Sequence, residues 1–449
     1  MNEQEFHQRW LNRTQRYTGS HELPADLPLH IHVDPEYGAT YSGQVAAITA
    51  ASLFGRMSRC AAANVPSVPM IEPLPWKGTK LDEHVMQTLH GAHKFGKYDQ
   101  RPARKDDLRI VIGPCGDGLV AHGSGWAAYL GTEPSPLAQK DNPNPYGAAF
   151  SVIAAAAQIQ AHPDAAAAEP MTLDTFRWRV GTPSPEEPQI EPNFELGNVW
   201  SIGLGSVGSC ALFFLALITR CFSAVLVDRD NIEVENLTRS ALFSWQDAVE
   251  ELSKVEVASR WLHEVGLEQV EPHLAWLHEI RPRWAGREQG TPDLLISAAN
   301  EHNVRNLIEE YHPPLQVYAT TGRNYQTTLY RHTPLKDPCS RCVPGSETTK
   351  TPMPCAIGTP PPGNGTRDED DVALPFLSYS AGLMTAAEIT KLALVDYTET
   401  PNRVLYEPQG RILYDAAFAK KPTCPYHNQD AIHEAAIQGS RFASLSTRQ

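Results

Sequence analysis

Three glycines, two acids, one amide and two cations stand in order between residues 203 and 254. Gly203-x-Gly205-x-x-Gly208 follows the short apolar run Val199-Trp-Ser-Ile202 and leads into an apolar, helix-like stretch. Val225-Leu-Val-Asp228-Arg-Asp230 comes next, then Glu235-Asn236-Leu-Thr-Arg239, then Lys254. A glycine turn between a strand and a helix lets the helix N-terminus hold phosphates on backbone N–H groups. An acid at the tip of the second strand then holds a ribose. Such a turn by itself is a weak signal. Asn236, Arg239 and Lys254 are not features of dinucleotide enzymes. An amide donor and two cations beside the phosphates suit catalysis on a triphosphate better than passive holding of a dinucleotide.

The cysteines supply a second chemistry. Cys339-x-x-Cys342 and the distant Cys424-x-x-His427 offer four soft or borderline ligands at knuckle spacing, the pattern of tetrahedral structural zinc. The plainer alternative is two surface thiols and an incidental pair. A zinc here would pin the end of the chain onto the domain before it. Cys355 stands apart in the proline-rich Thr351-Pro-Met-Pro-Cys355. A cysteine in an exposed loop is there for reactivity more often than for packing. It reads as a nucleophile, with a non-catalytic loop cysteine or a fourth zinc ligand in place of His427 as alternatives. Cys60, Cys210 and Cys221 read as small buried hydrophobes, and Cys115 in its glycine-rich turn is left open.

The ordered motifs, with a lysine fifteen residues beyond Arg239, resemble the ThiF/ubiquitin-activating enzyme superfamily over roughly Gly197 to His427. The resemblance implies that ATP and magnesium are used to adenylate the C-terminal glycine of a ubiquitin-like protein. It implies that Asp228 holds the ribose, that Asn236, Arg239 and Lys254 contact phosphates, and that Gly203, Gly205, Gly208 and Asp230 complete the nucleotide site. It further implies that Cys355 takes the acyl group as a thioester and passes it to a ubiquitin-conjugating-like enzyme. Arg305 matches a family position that helps order the site, and a plain surface arginine is the rival reading. An arginine from a partner half often reaches the ATP in this family, and Arg9, Arg13 or Arg16 are the candidates here, with a solvated helix face as the stronger account of any single one. Asn300-Glu301 departs from the family's Asp-Asn, which puts the magnesium site in question, since a neutral amide oxygen is a poorer ligand for a hard cation. The size, the first half and the Met-Pro-Cys element resemble activating enzymes of bacterial ubiquitin-like (Bil-type) conjugation systems, which implies a role in antiphage defence.

These residues need elements to position them. The expected fold is α/β: a Rossmann-like, mostly parallel adenylation domain with a zinc knuckle at residues 191–430, preceded by a second α/β domain at 1–190 and followed by a tail at 431–449. Strands are expected around Val199, Ala224, Gln269, Leu294 and Val317, and helices at Glu3–Tyr17, Tyr146–His162 and Pro375–Leu394. Tyr41–Asn64 reads as one alanine-rich helix, and Leu108–Gly113 as a strand. The first domain is either an inactive adenylation-like half, making an internal pseudo-dimer, or an unrelated α/β domain; a homodimer is the other way to pair such units. No internal repeat stands out. Four prolines in Gly181–Pro192 mark the boundary. Thr348–Asp371 reads as a long catalytic-cysteine loop, mobile without substrate.

Composition sets outer limits. A chain of 449 residues has room for two or three cores. A net charge of -14 argues against a nucleic-acid partner. No apolar run reaches membrane-spanning length and the start, Met1-Asn-Glu-Gln-Glu, is no signal peptide, so a cytoplasmic location with reduced thiols is expected. Rival functions are a sulfur-carrier adenylyltransferase of thiamine or molybdopterin type, an NAD-dependent dehydrogenase and a non-catalytic nucleotide-binding scaffold.

Overall fold

Helices that are apolar on every side have to be covered on every side. Four stretches of this chain are of that kind, and they determine the architecture. In the computed structural model the first half runs α1 (Glu3–Thr18), β1 (Leu29–Val33), α2 (Pro35–Gly38), α3 (Tyr41–Met57), β2 (Cys60–Asn64), α4 (Leu81–Ala92), β3 (Lys97–Gln100), β4 (Leu108–Ile112), β5 (Leu119–Ser124), β6 (Ala127–Gly131), α5 (Tyr146–Ala161), β7 (Met171–Asp174) and β8 (Arg179–Val180). The second runs β9 (Gly197–Ile202), α6 (Ser206–Ala216), β10 (Phe222–Asp228), α7 (Trp245–Val249), α8 (Lys254–Glu264), β11 (Gln269–Leu274), α9 (Leu277–Ile280), β12 (Leu294–Ser297), α10 (His302–Glu310), β13 (Leu315–Gly322), β14 (Gln326–His332), α11 (Pro375–Ala393), β15 (Arg403–Glu407) and β16 (Ile412–Asp415). The structure describes residues 1–18, 26–138, 141–161, 169–183, 188–280, 292–299, 302–322, 325–342, 374–394, 401–408, 412–415, 418–426 and parts of 434–447.

The two halves have one topology. The first sheet is ordered β3-β2-β1-β4-β5-β6-β7-β8 and the second β11-β10-β9-β12-β13-β14-β15-β16. In each, the first five strands pair parallel and the last three add antiparallel. The repeat that the sequence hides is therefore plain in the strand order. The α/β, Rossmann-like expectation holds for both halves.

The four apolar helices, α3 and α5 of the first half and α6 and α11 of the second, occupy equivalent places and pack together between the sheets. α5 and α11 are buried along almost their whole lengths. Apolar side chains from both halves join one continuous core. Each large one fully buried there contributes roughly 1.5–3 kcal/mol. Hydrogen bonds cross the seam inside this layer: Tyr41 donates its hydroxyl to Leu217 O at 2.9 Å, Tyr146 to Ala386 O at 3.0 Å, and the Ser52 and Tyr379 hydroxyls lie 2.6 Å apart. A buried hydroxyl left unbonded is costly, so these pairs fix which surfaces of the helices meet.

Two expectations need correction. Tyr41–Asn64 is not one helix: α3 ends at Met57, Ser58 is extended, and Cys60–Asn64 is a central strand. Cys221 is exposed and Cys60 half-buried, because both lie at the outer ends of strands; Cys210 alone of the three is buried, and burial pushes its thiol up to about 12. In the tail, Phe442 and Leu445 join the core and Arg441 N donates to Asp293 Oδ1 at 3.0 Å. Among the described residues no helix is long and apolar enough to cross a membrane.

Candidate nucleotide site and cysteine cluster

The glycine turn is built for close approach. Gly203, the first residue past β9, has φ +87°, and a Cβ there would stand 2.7 Å from Ala299 N. A Cβ on Gly208 would stand 2.1 Å from Gly203 O, so the first turn of α6 packs on the loop only without a side chain. Gly205, the N-cap of α6, faces open space, with nothing within 4 Å of a Cβ. Over this opening the N–H groups of the first turn of α6 are the donors that an anion would meet.

Asp228 is the last residue of β10 and is tied to that turn. Its carboxylate accepts from Leu204 N at 2.6 Å and from Asp230 N at 2.9 Å. Burial raises its pKa above the usual carboxylate value, and the Lys254 charge opposes the rise. Asp230 in turn holds Lys254 twice: the Lys254 ammonium donates to Asp230 Oδ2 at 2.8 Å and the Lys254 amide to Asp230 O at 3.0 Å. Lys254 opens α8 behind the N-cap Ser253, and only 7% of it is exposed. The sheet order puts β10 beside β9, so the turn, the acids and the lysine share the carboxyl end of the strands, where ligands bind in open α/β sheets.

The Asn-Leu-Thr-Arg segment lies against α6, where Cys210 Sγ donates to Arg239 O at 3.6 Å. Asn236 ends a 3-10 turn, Val234–Asn236, and its Oδ1 accepts from Glu233 N at 2.9 Å, completing a capping box. Arg239 is 5% exposed and donates to Glu235 O at 3.2 Å. Arg305, on α10, donates to Ala299 O at 3.3 Å and lies over the Tyr318 ring, so it braces the strand end that faces Gly203. Of the N-terminal arginines, Arg9 reaches this region: its guanidinium makes two bonds, 2.9 and 3.0 Å, to the Glu235 carboxylate. Arg13 and Arg16 lie on α1, and their side chains fall outside the described residues, as do Asn300 and Cys355.

The first half lacks this equipment. β1 runs into Asp34 where β9 runs into Gly203, and the Asp34 carboxylate accepts from Tyr37 N to cap α2. A carboxylate at that point repels phosphate. β2 ends at Asn64, and no acid follows it in Val65-Pro-Ser-Val.

Cys339, Cys342 and Cys424 come together, their sulfurs all within 4.8 Å of one another and all buried. Cys339 Sγ lies 3.5 Å from Cys424 Sγ and 3.9 Å from Cys342 Sγ. Lys421 N donates to Cys342 Sγ at 3.3 Å, an orientation that favours a thiolate. Burial pushes the Cys339 and Cys342 thiols up, and their neighbours' charge adds to this, so a cation among them is what allows thiolates. The three fit a zinc site; His427, the expected fourth ligand, lies outside the described residues. Purified protein is expected to carry about one zinc per chain, and Cys424→Ala to lose it together with stability, because structural zinc binding is part of folding free energy. Metal analysis of protein prepared without chelator checks this; a metal-free wild type refutes it.

Arg56 was not singled out in the sequence, although it is the one charged residue in the otherwise uncharged α3. That isolation was the available signal.

The ThiF family pattern matches residues 196–425. No curated protein matches. Solved structures of E. coli MccB are similar. With succinimide bound, the match has 21% identity and a TM-score of 0.38, and covers 51% of this chain and 66% of that chain. With MccA-N7isoASN the figures are 18%, 0.38, 53% and 67%, and with AMPCPP and MccA 21%, 0.38, 52% and 66%. This chain thus spans just under two thirds of the length of the first of these.

Proposed function

Because this chain belongs to the ThiF family, we propose that it activates a carboxylate with ATP, forming an acyl-adenylate. The reading is carried by two buried cations, Arg239 and Lys254, together with a glycine turn open at Gly205 and tied to Asp228. The triphosphate lies over the N-terminus of α6 and the ribose hydroxyls bond Asp228. A substrate carboxylate oxygen attacks the α-phosphorus, the bond to the β-phosphate oxygen breaks, and pyrophosphate leaves. Arg239, Lys254 and the loop amides stabilise the charge that grows on the phosphoryl oxygens. Were Lys254 to pair with phosphate in that state, the half-exposed Asp230 carboxylate would be available to hold magnesium. Magnesium, when bound, neutralises phosphate charge. Asn300 would supply at most a neutral oxygen to it.

The substrate is the C-terminal glycine of a ubiquitin-like protein. In the second step the Cys355 thiolate attacks the acyl carbon and AMP leaves, giving a thioester that a conjugating enzyme receives by exchange. The first half serves as the partner that a two-fold relative would supply from a second chain, which favours this reading over a short sulfur-carrier adenylyltransferase. The Bil-type resemblance adds a bacterial antiphage setting. The test is incubation with labelled ATP, magnesium and ubiquitin-like proteins ending in glycine. Pyrophosphate release that requires the terminal carboxylate is expected. Release with none of them, together with tight binding of NAD, would replace this reading by the dehydrogenase.

A further inference from the structure

Arg56 lies in the last turn of α3 and is 4% exposed. A buried cation must find acceptors, and those of Arg56 belong to the other half. Its Nε donates to Ser240 O at 2.8 Å, and its Nη2 to Ala241 O at 3.1 Å and to Phe243 O at 2.7 Å. This run of carbonyls begins at the residue after Arg239. It connects the Asn236–Arg239 segment to α7. The same segment is held by α6 as well, since Cys210 Sγ donates to Arg239 O at 3.6 Å.

The repeated topology supplies a counterpart. Arg220, just past the end of α6, donates its Nη1 to Pro73 O at 2.8 Å and to Ala216 O at 3.1 Å. Pro73 lies in the connection from β2 to α4, as Ser240–Phe243 lie in the connection from β10 to α8. Each half therefore sends an arginine from the end of its first buried helix into the same connection of the other half. Only one of those connections carries Asn236 and Arg239.

We infer that Arg56 is a positioning residue for nucleotide, through which the half without a site sets the backbone that aims Arg239. Arg220 is the equivalent clamp on the half that has nothing to aim. The inference rests on the reading of residues 203–254 as an ATP site. Three charge-assisted bonds to carbonyls within one four-residue stretch hold a loop more tightly than apolar contact does, and a shift of about 1 Å in an aimed group costs up to about 100-fold in function.

The test compares Arg56→Met with Arg220→Met in the full chain. It uses Mg-ATP alone as ligand and measures amide hydrogen exchange without ligand. Arg56→Met is expected to speed exchange in peptides covering 236–243 and to raise the Kd for Mg-ATP by about 10- to 100-fold. Arg220→Met is expected to lower Tm comparably, to speed exchange near 70–74, and to leave the Kd within about twofold, since it touches no group placed in the site. Unchanged exchange at 236–243 in Arg56→Met, or equal loss of ATP affinity in both variants, overturns the inference. A wild type that does not bind Mg-ATP defeats the site reading instead, and the exchange measurement then decides by itself whether Arg56 holds the segment. If Arg56→Met does not fold, Arg56→Lys keeps the charge but loses the fork, and the same two changes are expected at smaller size.

Discussion

Lys254→Ala is expected to slow ATP–pyrophosphate exchange by about 100-fold or more, and Arg239→Ala to do the same. Each removes a cation placed where the transferring phosphoryl group gathers charge, and losing one such contact commonly costs 100- to 1,000-fold. The effect falls on chemistry more than on folding for Lys254. Its partner Asp230 is about half-exposed in its side chain, so that carboxylate is solvated at little cost, although the buried Asp228 loses the charge that opposes its desolvation. Arg239 differs: its guanidinium is buried against Glu235 O, and some loss of stability accompanies the loss of rate. Arg239→Lys separates the two effects, because it keeps the charge and gives up the planar fork. Exchange near the wild-type rate in both alanine variants, with a working ubiquitin-like substrate, would remove the nucleotide assignment.

Cys355→Ala is expected to abolish the reductant-sensitive adduct with the ubiquitin-like protein while exchange continues. Adenylation needs the carboxylate and ATP, whereas thioester formation needs the thiolate. Cys355→Ser is expected to give a slower, reductant-resistant oxyester, because a hydroxyl is a far weaker nucleophile near neutral pH. A non-reducing gel reads the outcome. An adduct that survives in Cys355→Ala and vanishes when the exposed Cys115 is changed instead would transfer the role to Cys115.

The glycine turn and the residues tied to it were legible because their signals are local. The glycine spacing, the apolar run before it and the acid after the second strand are each decided within a few residues, and the structure puts Gly203, Asp228 and Lys254 at one sheet end. The zinc spacing was legible for the same reason as far as Cys424. The twin topology was not. Cys60-Ala-Ala-Ala-Asn64 has helical propensity and no glycine or proline in the four residues before it, yet it lies between β1 and β3. Its small side chains suit a strand pressed by α3 and α4, and that pressure is tertiary. Arg56 was overlooked for a related reason. Its acceptors are backbone carbonyls about 185 positions away, and a carbonyl has no residue type to recognise.

Two identical subunits related by a two-fold axis share every substitution, since one gene writes both sides of the interface. Here the two sides are written separately and joined through Gly181–Pro192. Asp34 can stand where Gly203 stands without spoiling the second loop, and Arg56 and Arg220 can change one at a time. Joining the halves in one chain releases each from the other's constraints. One half carries a glycine turn before its helix, and the other carries a capped helix at the equivalent place.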